Sequence, residues 1–274
     1  MRHLSLLKLG LSAVVGLAIA LAVTHRPLTA PLPDTIDLAD MTWVEVRAAL
    51  ERGYTTVIVP SGGIEQNGPH MIVGKHDYIV RTAARRIAGE LGQTLVAPVI
   101  SYVPEGSYDP PSGHMRFPGT LGVPENVFAA TLEGIARSLN AGGFKTICFI
   151  ADHGGSQTPQ AQVAAKLNAE WASKGVRVIS VDAYYSDAAQ IVMLEGQGES
   201  RNTIGEHASI IDTSELMAVH PEGVNLGKLG ALGFSLQSNG IVGDPRSASA
   251  ERGKQLLGIR VAAALRQIRS QLGR

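Results

Sequence analysis

Outside the first thirty residues the chain has six histidines, and each stands beside glycine, proline or an acid: His70, His76, His114, His153, His207 and His220. A lone histidine is most often a satisfied polar residue. Here, however, two separate loops carry one next to glycines and carboxylates. The first runs Gly62-Gly63-Ile64-Glu65-Gln66-Asn67-Gly68-Pro69-His70, with His76-Asp77 shortly after, and the second is Asp152-His153-Gly154-Gly155-Ser156. Neutral imidazoles with a carboxylate are common ligands for zinc, manganese or iron. Such a cation lowers the pKa of a bound water and polarises a carbonyl, while nearby acids and imidazoles move protons. The pattern points first to a metal and, more weakly, to hydrolysis.

The segments that position these loops alternate in type. Thr56-Val57-Ile58-Val59, Thr94 to Ile100, Lys145 to Ala151 and Val176 to Val181 are short apolar, β-rich runs. Between them lie helical patterns: Asp40 to Leu50, the stripe Ile79, Ala83, Ile87 and Leu91 closed by Gly92, Pro124 to Asn140, and Gln160 to Ser173. A last helix is expected from about Ser247 to Leu272. Strand–helix alternation predicts an α/β protein with a mostly parallel sheet, and the ends of its strands are where ligands bind. The long loop Ser101 to Gly122 is a candidate pocket cover. The glycine-rich stretch from Gly223 to Gly240 has no assigned element.

Composition narrows the function classes. Of 274 residues, 45% are hydrophobic and 18% charged, which suits one large globular domain over 31–274. Bases and acids both number 24, so nothing calls for nucleic acid. The only cysteine, Cys148, lies in an apolar run and reads as a buried side chain, so no disulfide and no Cys-rich zinc site is available. Arg2 and Lys8 precede the apolar run Leu9 to Val23. This resembles an export signal and is short for a membrane span. The expectation is an exported, periplasmic or secreted protein, with residues 1–30 as signal peptide or, if uncleaved, as an anchor touching the membrane through 9–23. Pro27 to Pro33 reads as a linker.

Taken together, these motifs resemble the creatininase (creatinine amidohydrolase) family. The family's Gly-Ser-x-Glu-Gln-His-Gly-Pro-His corresponds to residues 62–70, its Gly-His-Gly-Gly-Asn to 152–156, and its His-Ala-Gly-x-x-Glu-Thr-Ser to His207-Ala208-Ser209-Ile210-Ile211-Asp212-Thr213-Ser214. Gly113-His114-Met115-Arg116-Phe117-Pro118-Gly119-Thr120 matches its His-x-x-Phe-Pro-Gly-Thr segment. The resemblance implies a three-layer α/β/α sandwich, a divalent metal at the strand ends, hydrolysis of a cyclic or linear amide, and a homo-oligomer. It also implies that Glu65 and His153 are ligands and that His114 and His207 line the pocket.

The departures from the family pattern carry physical weight. Asn67 replaces a ligand histidine, His76 replaces a metal-bridging aspartate, and Asp212 replaces a glutamate. One imidazole nitrogen serves one cation, so a bridged pair loses its bridge. The resulting expectation is one metal per chain on Glu65, His76, His153 and Asp212, with zinc favoured over manganese or iron. His114, His207 or Asp77 would assist proton transfer, and His70, Asn67 and Ser156 would contact substrate. The bland counterparts are His70 bracing its loop, Asp77 capping the helix that follows, Asp152 orienting His153, and Thr213-Ser214 starting a helix. Glu206 is a candidate partner for a ligand imidazole. The leading function is an exported metal-dependent hydrolase of a C–N amide bond in a small molecule. The alternatives are a metal-free binding protein on the same fold and a metal-dependent lactonase.

Overall fold

A computed structural model describes residues 34–230 and 233–273. The expected leader, linker and membrane contact at 9–23 therefore lie outside the described residues. Strands β1 (Thr56–Ser61), β2 (Thr94–Val96), β3 (Thr146–Ala151) and β4 (Arg177–Ser180) form one parallel sheet in the order β2-β1-β3-β4. Their side chains alternate between two cores. Val57, Val59, Ile147 and Phe149 face one, while Ile58, Cys148 and Ile150 face the other. Burial on both faces explains why these strands read as continuous apolar runs.

Helices cover each face, which makes the α/β/α sandwich. Helices α1 (Trp43–Glu51), α3 (Glu125–Ala141) and α4 (Gln157–Glu170) pack on the first core through residues such as Ala49, Phe128, Leu132 and Leu167. Helix α2 (Lys75–Leu91) packs on the second, its stripe Ile79, Ala83 and Ile87 fully buried. The same face holds α6 (Ile210–Val219) and α7 (Ala250–Leu272), which follow α5 (Ala188–Gly196). Among the described residues no helix is long and apolar enough to cross a membrane.

Several boundaries differ from the sequence reading. Helix α1 starts at a Thr42–Glu45 capping box, in which each side chain bonds the other residue's backbone N–H. Helix α2 begins two residues before Asp77, so Asp77 lies in its first turn and does not cap it. The second strand stops at Val96, because Pro98 interrupts the ladder and Ile100 returns only as an isolated bridge to Ser61. Helix α4 starts three residues before Gln160, and α6 starts at Ile210, ahead of Thr213-Ser214. In the glycine-rich stretch, Val242 pairs with His207, and Ile241 is buried in the second core. Gly240 has φ +73°, and a Cβ there would lie 1.8 Å from the Gln66 Oε1 atom.

Close approach of α6 and α7 also depends on a glycine. A Cβ on Gly253 would lie 1.8 Å from the Ser214 carbonyl oxygen, whereas one on Gly258 would meet nothing closer than Arg86 at 3.9 Å. Gly253→Ala is expected to cost about 1–3 kcal/mol through overpacking. Gly258→Ala, which brings a better helix former, should be neutral or stabilising by up to about 1 kcal/mol. Urea unfolding midpoints of the two variants check this contrast.

Candidate metal centre

The sheet order places β1 between β2 and β3, so the connection leaving β1 runs towards one edge of the sheet and the connection leaving β3 towards the other. The crevice beyond the carboxyl ends of β1 and β3 is a topological switch point. Glu65 follows β1 and His153 follows β3, and both side chains are buried there. The loop from Ser101 to Gly122 closes over them and brings Glu105 and His114, while the stretch before α6 brings His207. Together they line a cavity of about 660 Å³, in the range of small-molecule sites.

Glu65 is the hub. Its Oε2 lies 3.2 Å from His153 Nε2 and 3.3 Å from His114 Nε2, and its Oε1 lies 2.7 Å from His76 Nε2. One ligand atom each from Glu65, His114 and His153 falls within 4.8 Å of the other two. Glu65 Oε2 is buried and accepts no hydrogen bond of standard geometry. Two nitrogens and an unpartnered carboxylate oxygen, held this close, fit a divalent cation.

For Glu65 and His114 the protonation states agree with that fit, whereas His153 carries a proton that a cation must displace. Burial raises the Glu65 pKa, but His76 and His153 outweigh it and hold the carboxyl well below its ordinary value. Burial lowers His114, and lowers His207 to about 4, so both imidazoles are neutral at pH 7 with a lone pair available. Burial opposes a charge on His153 too, yet Glu105 and Glu65 pull its pKa up to about 10. The gap between two carboxylates and an imidazole thus holds a proton tightly, and it is a place where positive charge is wanted.

The other expected ligands line the same cavity but are held by other partners. His76 faces a carboxylate at each ring nitrogen: Glu65 at one and Asp152 at the other, both at 2.7 Å. Asp152 therefore orients His76 rather than His153, and it also accepts from the Tyr184 hydroxyl and the Arg260 guanidinium. Asp212 is taken by buried Lys75, whose Nζ lies 2.8 Å from Asp212 Oδ1 and 3.9 Å from Glu65 Oε1. That ammonium outweighs burial and holds Asp212 well below the carboxylate range. The group that converges on one point contains His114 and includes neither His76 nor Asp212.

Asp77 accepts from the Gly63 N–H and the Ser101 hydroxyl, so it shapes the first loop, and it is not among the residues lining the cavity. Asn67 spends its amide on the carbonyls of Glu65 and Ile72. His70 meets the Thr213 hydroxyl at 2.9 Å, which ties its loop to α6. Ser156 is fully buried, its hydroxyl without a hydrogen-bond partner. Glu206 lines the cavity, and its backbone N–H bonds Val242.

Three residues escaped the sequence reading. Glu105 lies 3.0 Å from His153 Nε2; Lys75 is 1% exposed; Arg260 ties the last helix to Asp152. No spacing signal marks them, since each becomes informative only once it is known to be buried.

Comparison with known proteins gives the site its family. The family model described as "Creatininase: Creatinine amidohydrolase" matches residues 39–268. The chain belongs to the creatininase family. Creatinine amidohydrolase of Pseudomonas putida is 24% identical over 200 residues, covering 71% of this chain and 76% of that protein. Mycofactocin precursor peptide peptidase of Mycolicibacterium smegmatis is 26% identical over 221 residues, covering 73% and 78%. A crystal structure of creatinine amidohydrolase superposes with a TM-score of 0.71 at 23% identity, covering 87% of this chain and 98% of that one. Solved creatininases include a manganese form and a mutant of Zn-Zn type. Creatininase-family membership makes this chain a metal-dependent amidohydrolase by class, on an α/β fold those structures share.

His70 offers a pH test of the first loop. Burial lowers its pKa from 6.5 to about 4, so between those values the unfolded chain binds a proton that the folded chain does not. Stability then falls as pH drops through that window, by up to about 1.4 kcal/mol per pH unit. The stability difference between wild type and His70→Asn should therefore shrink from pH 6.5 to 4 and stay flat above pH 7, as read from urea midpoints.

Proposed function

We propose that this chain hydrolyses a C–N amide bond in a small molecule using one divalent cation held by Glu65, His114 and His153, with zinc favoured. The observation that carries this is the convergence of Glu65 Oε2, His114 Nε2 and His153 Nε2 on one point in the cavity wall. The cation, when bound, lowers the pKa of water and polarises an amide carbonyl.

This chain's own residues supply the rest. His207 stands at the cavity with Nε2 3.0 Å from the Gln66 carbonyl oxygen, so a proton on Nε2 is held there and Nδ1 keeps its lone pair. Nδ1 points towards Glu65, 3.8 Å from Oε1. Neutral at pH 7, His207 accepts a proton from the attacking water and returns it to the leaving nitrogen. Gln66 holds the His207 ring through its carbonyl oxygen, and its amide nitrogen lies 3.2 Å from His114 Nδ1. Lys75 adds a fixed positive charge beside Glu65.

Glu65, Glu105, Asp152 and Asp212 bring four carboxylates to the site, against the charges of Lys75 and Arg260 and the imidazoles of His76 and His153. Lys75, seated between Glu65 and Asp212, stands where a second cation would otherwise be wanted. Export and self-association belong to this reading through the N-terminal segment and the family resemblance.

One observation favours a second reading, a metal-free binding protein: His76 and Lys75 already place positive or protonatable groups against Glu65 Oε1. Metal analysis separates the two. The hydrolase reading expects one equivalent of metal per chain, loss of amide hydrolysis on chelation and its return with zinc. It also expects Glu65→Gln to lower kcat/KM at least about a hundredfold. A chain without metal, or a Glu65→Gln protein with full activity, rejects it. A panel of amides and lactones separates C–N from C–O cleavage.

A further inference from the structure

We propose that Glu105 is a fourth protein ligand of this centre, so that the closed loop from Glu105 to His114 delivers two ligands and becomes ordered when the metal binds. The inference rests on the reading of the site as a metal centre.

The chain clears space for this carboxylate at three points. A Cβ on Gly63 would lie 3.0 Å from Glu105 Oε1, one on Gly122 would lie 2.9 Å from Glu105 Cβ, and one on Gly155 would lie 2.3 Å from the Pro104 carbonyl oxygen. Three glycines from three loops thus admit the Pro104–Glu105 step into the crevice. Glu105 is 3% exposed, with Oε2 3.0 Å from His153 Nε2, the nitrogen that faces Glu65. Neither Glu105 oxygen accepts a hydrogen bond of standard geometry. A simple ion pair with His153 leaves most of that buried oxygen surface uncompensated, whereas coordination satisfies it.

The loop's construction explains how Glu105 and His114 arrive together. The His114 N–H donates to the Glu105 carbonyl at 3.1 Å and closes the neck. Gly106 and Gly113 flank it at φ +131° and +55°. A Cβ on the first would lie 2.2 Å from the Ser112 carbonyl oxygen, and one on the second 2.7 Å from the Glu105 carbonyl oxygen. The body of the loop is exposed: Tyr108 is 52% exposed with its hydroxyl donating to the Gly122 carbonyl, and Ser107 and Ser112 bond each other across it. Little apolar burial holds this segment down, so ligation at its neck would be its main anchor.

Zinc titration of the metal-free full-length chain, cobalt(II) absorption spectra and hydrogen exchange of residues 105–114 test this. Glu105→Gln should weaken zinc binding at least about tenfold and shift the cobalt bands as an oxygen ligand is lost. Zinc should slow exchange across the loop in wild type and much less in the variant. Ser107→Ala, in the loop body, should bind as wild type does. Glu105→Asp keeps the charge opposite His153 but shortens its reach, and it should also shift the spectrum, which preserves the test if Glu105→Gln does not fold. Wild-type affinity and an unshifted cobalt spectrum in a folded Glu105 variant overturn the assignment while leaving the metal centre standing. A wild-type chain that binds no metal overturns the centre and this inference together.

Discussion

Carboxylates crowd the interior of this protein. Glu65, Glu105, Asp152 and Glu215 are nearly inaccessible, and Asp212 reaches in beside them. An uncompensated buried charge costs several kcal/mol, so each must find a partner or stay protonated. Asp152 has Arg260, Tyr184 and His76; Asp212 has Lys75. Glu215, bonded by the Gln190 amide, is pushed by burial up to about 7 and escapes part of its charge. Only Glu65 and Glu105 converge on imidazoles whose protons a metal can displace. The reactive point is thus where the charge ledger of the interior stays open.

The parallel sheet makes this crowding affordable. Loops after β1 and β3 emerge side by side, with the sheet and both helical layers beneath them as rigid support. Behind the site, Arg260 on α7 and Tyr184 meet the Asp152 oxygen, and Gln190 on α5 reaches Glu215. The helices that pack the second core therefore also set the electrostatics of the crevice. A change at their interface reaches the imidazoles through Asp152 and His76.

The strand–helix alternation, the helix stripes and the strand-end position of Glu65 and His153 were legible in the sequence, because periodicity and glycine punctuation report them directly, while the three layers came from the family resemblance. The partners of the charged residues were not. His76 and Asp212 read as ligands because acids and imidazoles attract that reading, yet their partners Asp152 and Lys75 lie 76 and 137 positions away in sequence. Lys75 at a helix start reads as a solvated cation, and Arg260 in an amphipathic helix reads as surface. Glu105 sits in a loop without periodic signal. Sequence pattern shows which side chains carry charge, but only the fold decides which of them leave water.

The lysine at the head of α2 gives the crevice a positive charge of its own. Its ammonium is tethered through the backbone, so dialysis that strips an ion leaves it beside Glu65 and Asp212. Emptying the centre then removes only part of the positive charge on which those acids depend. Glu65 and Asp212 should then stay in place through scarcity of the metal, leaving the loop from Glu105 to His114 to order again when the ion returns.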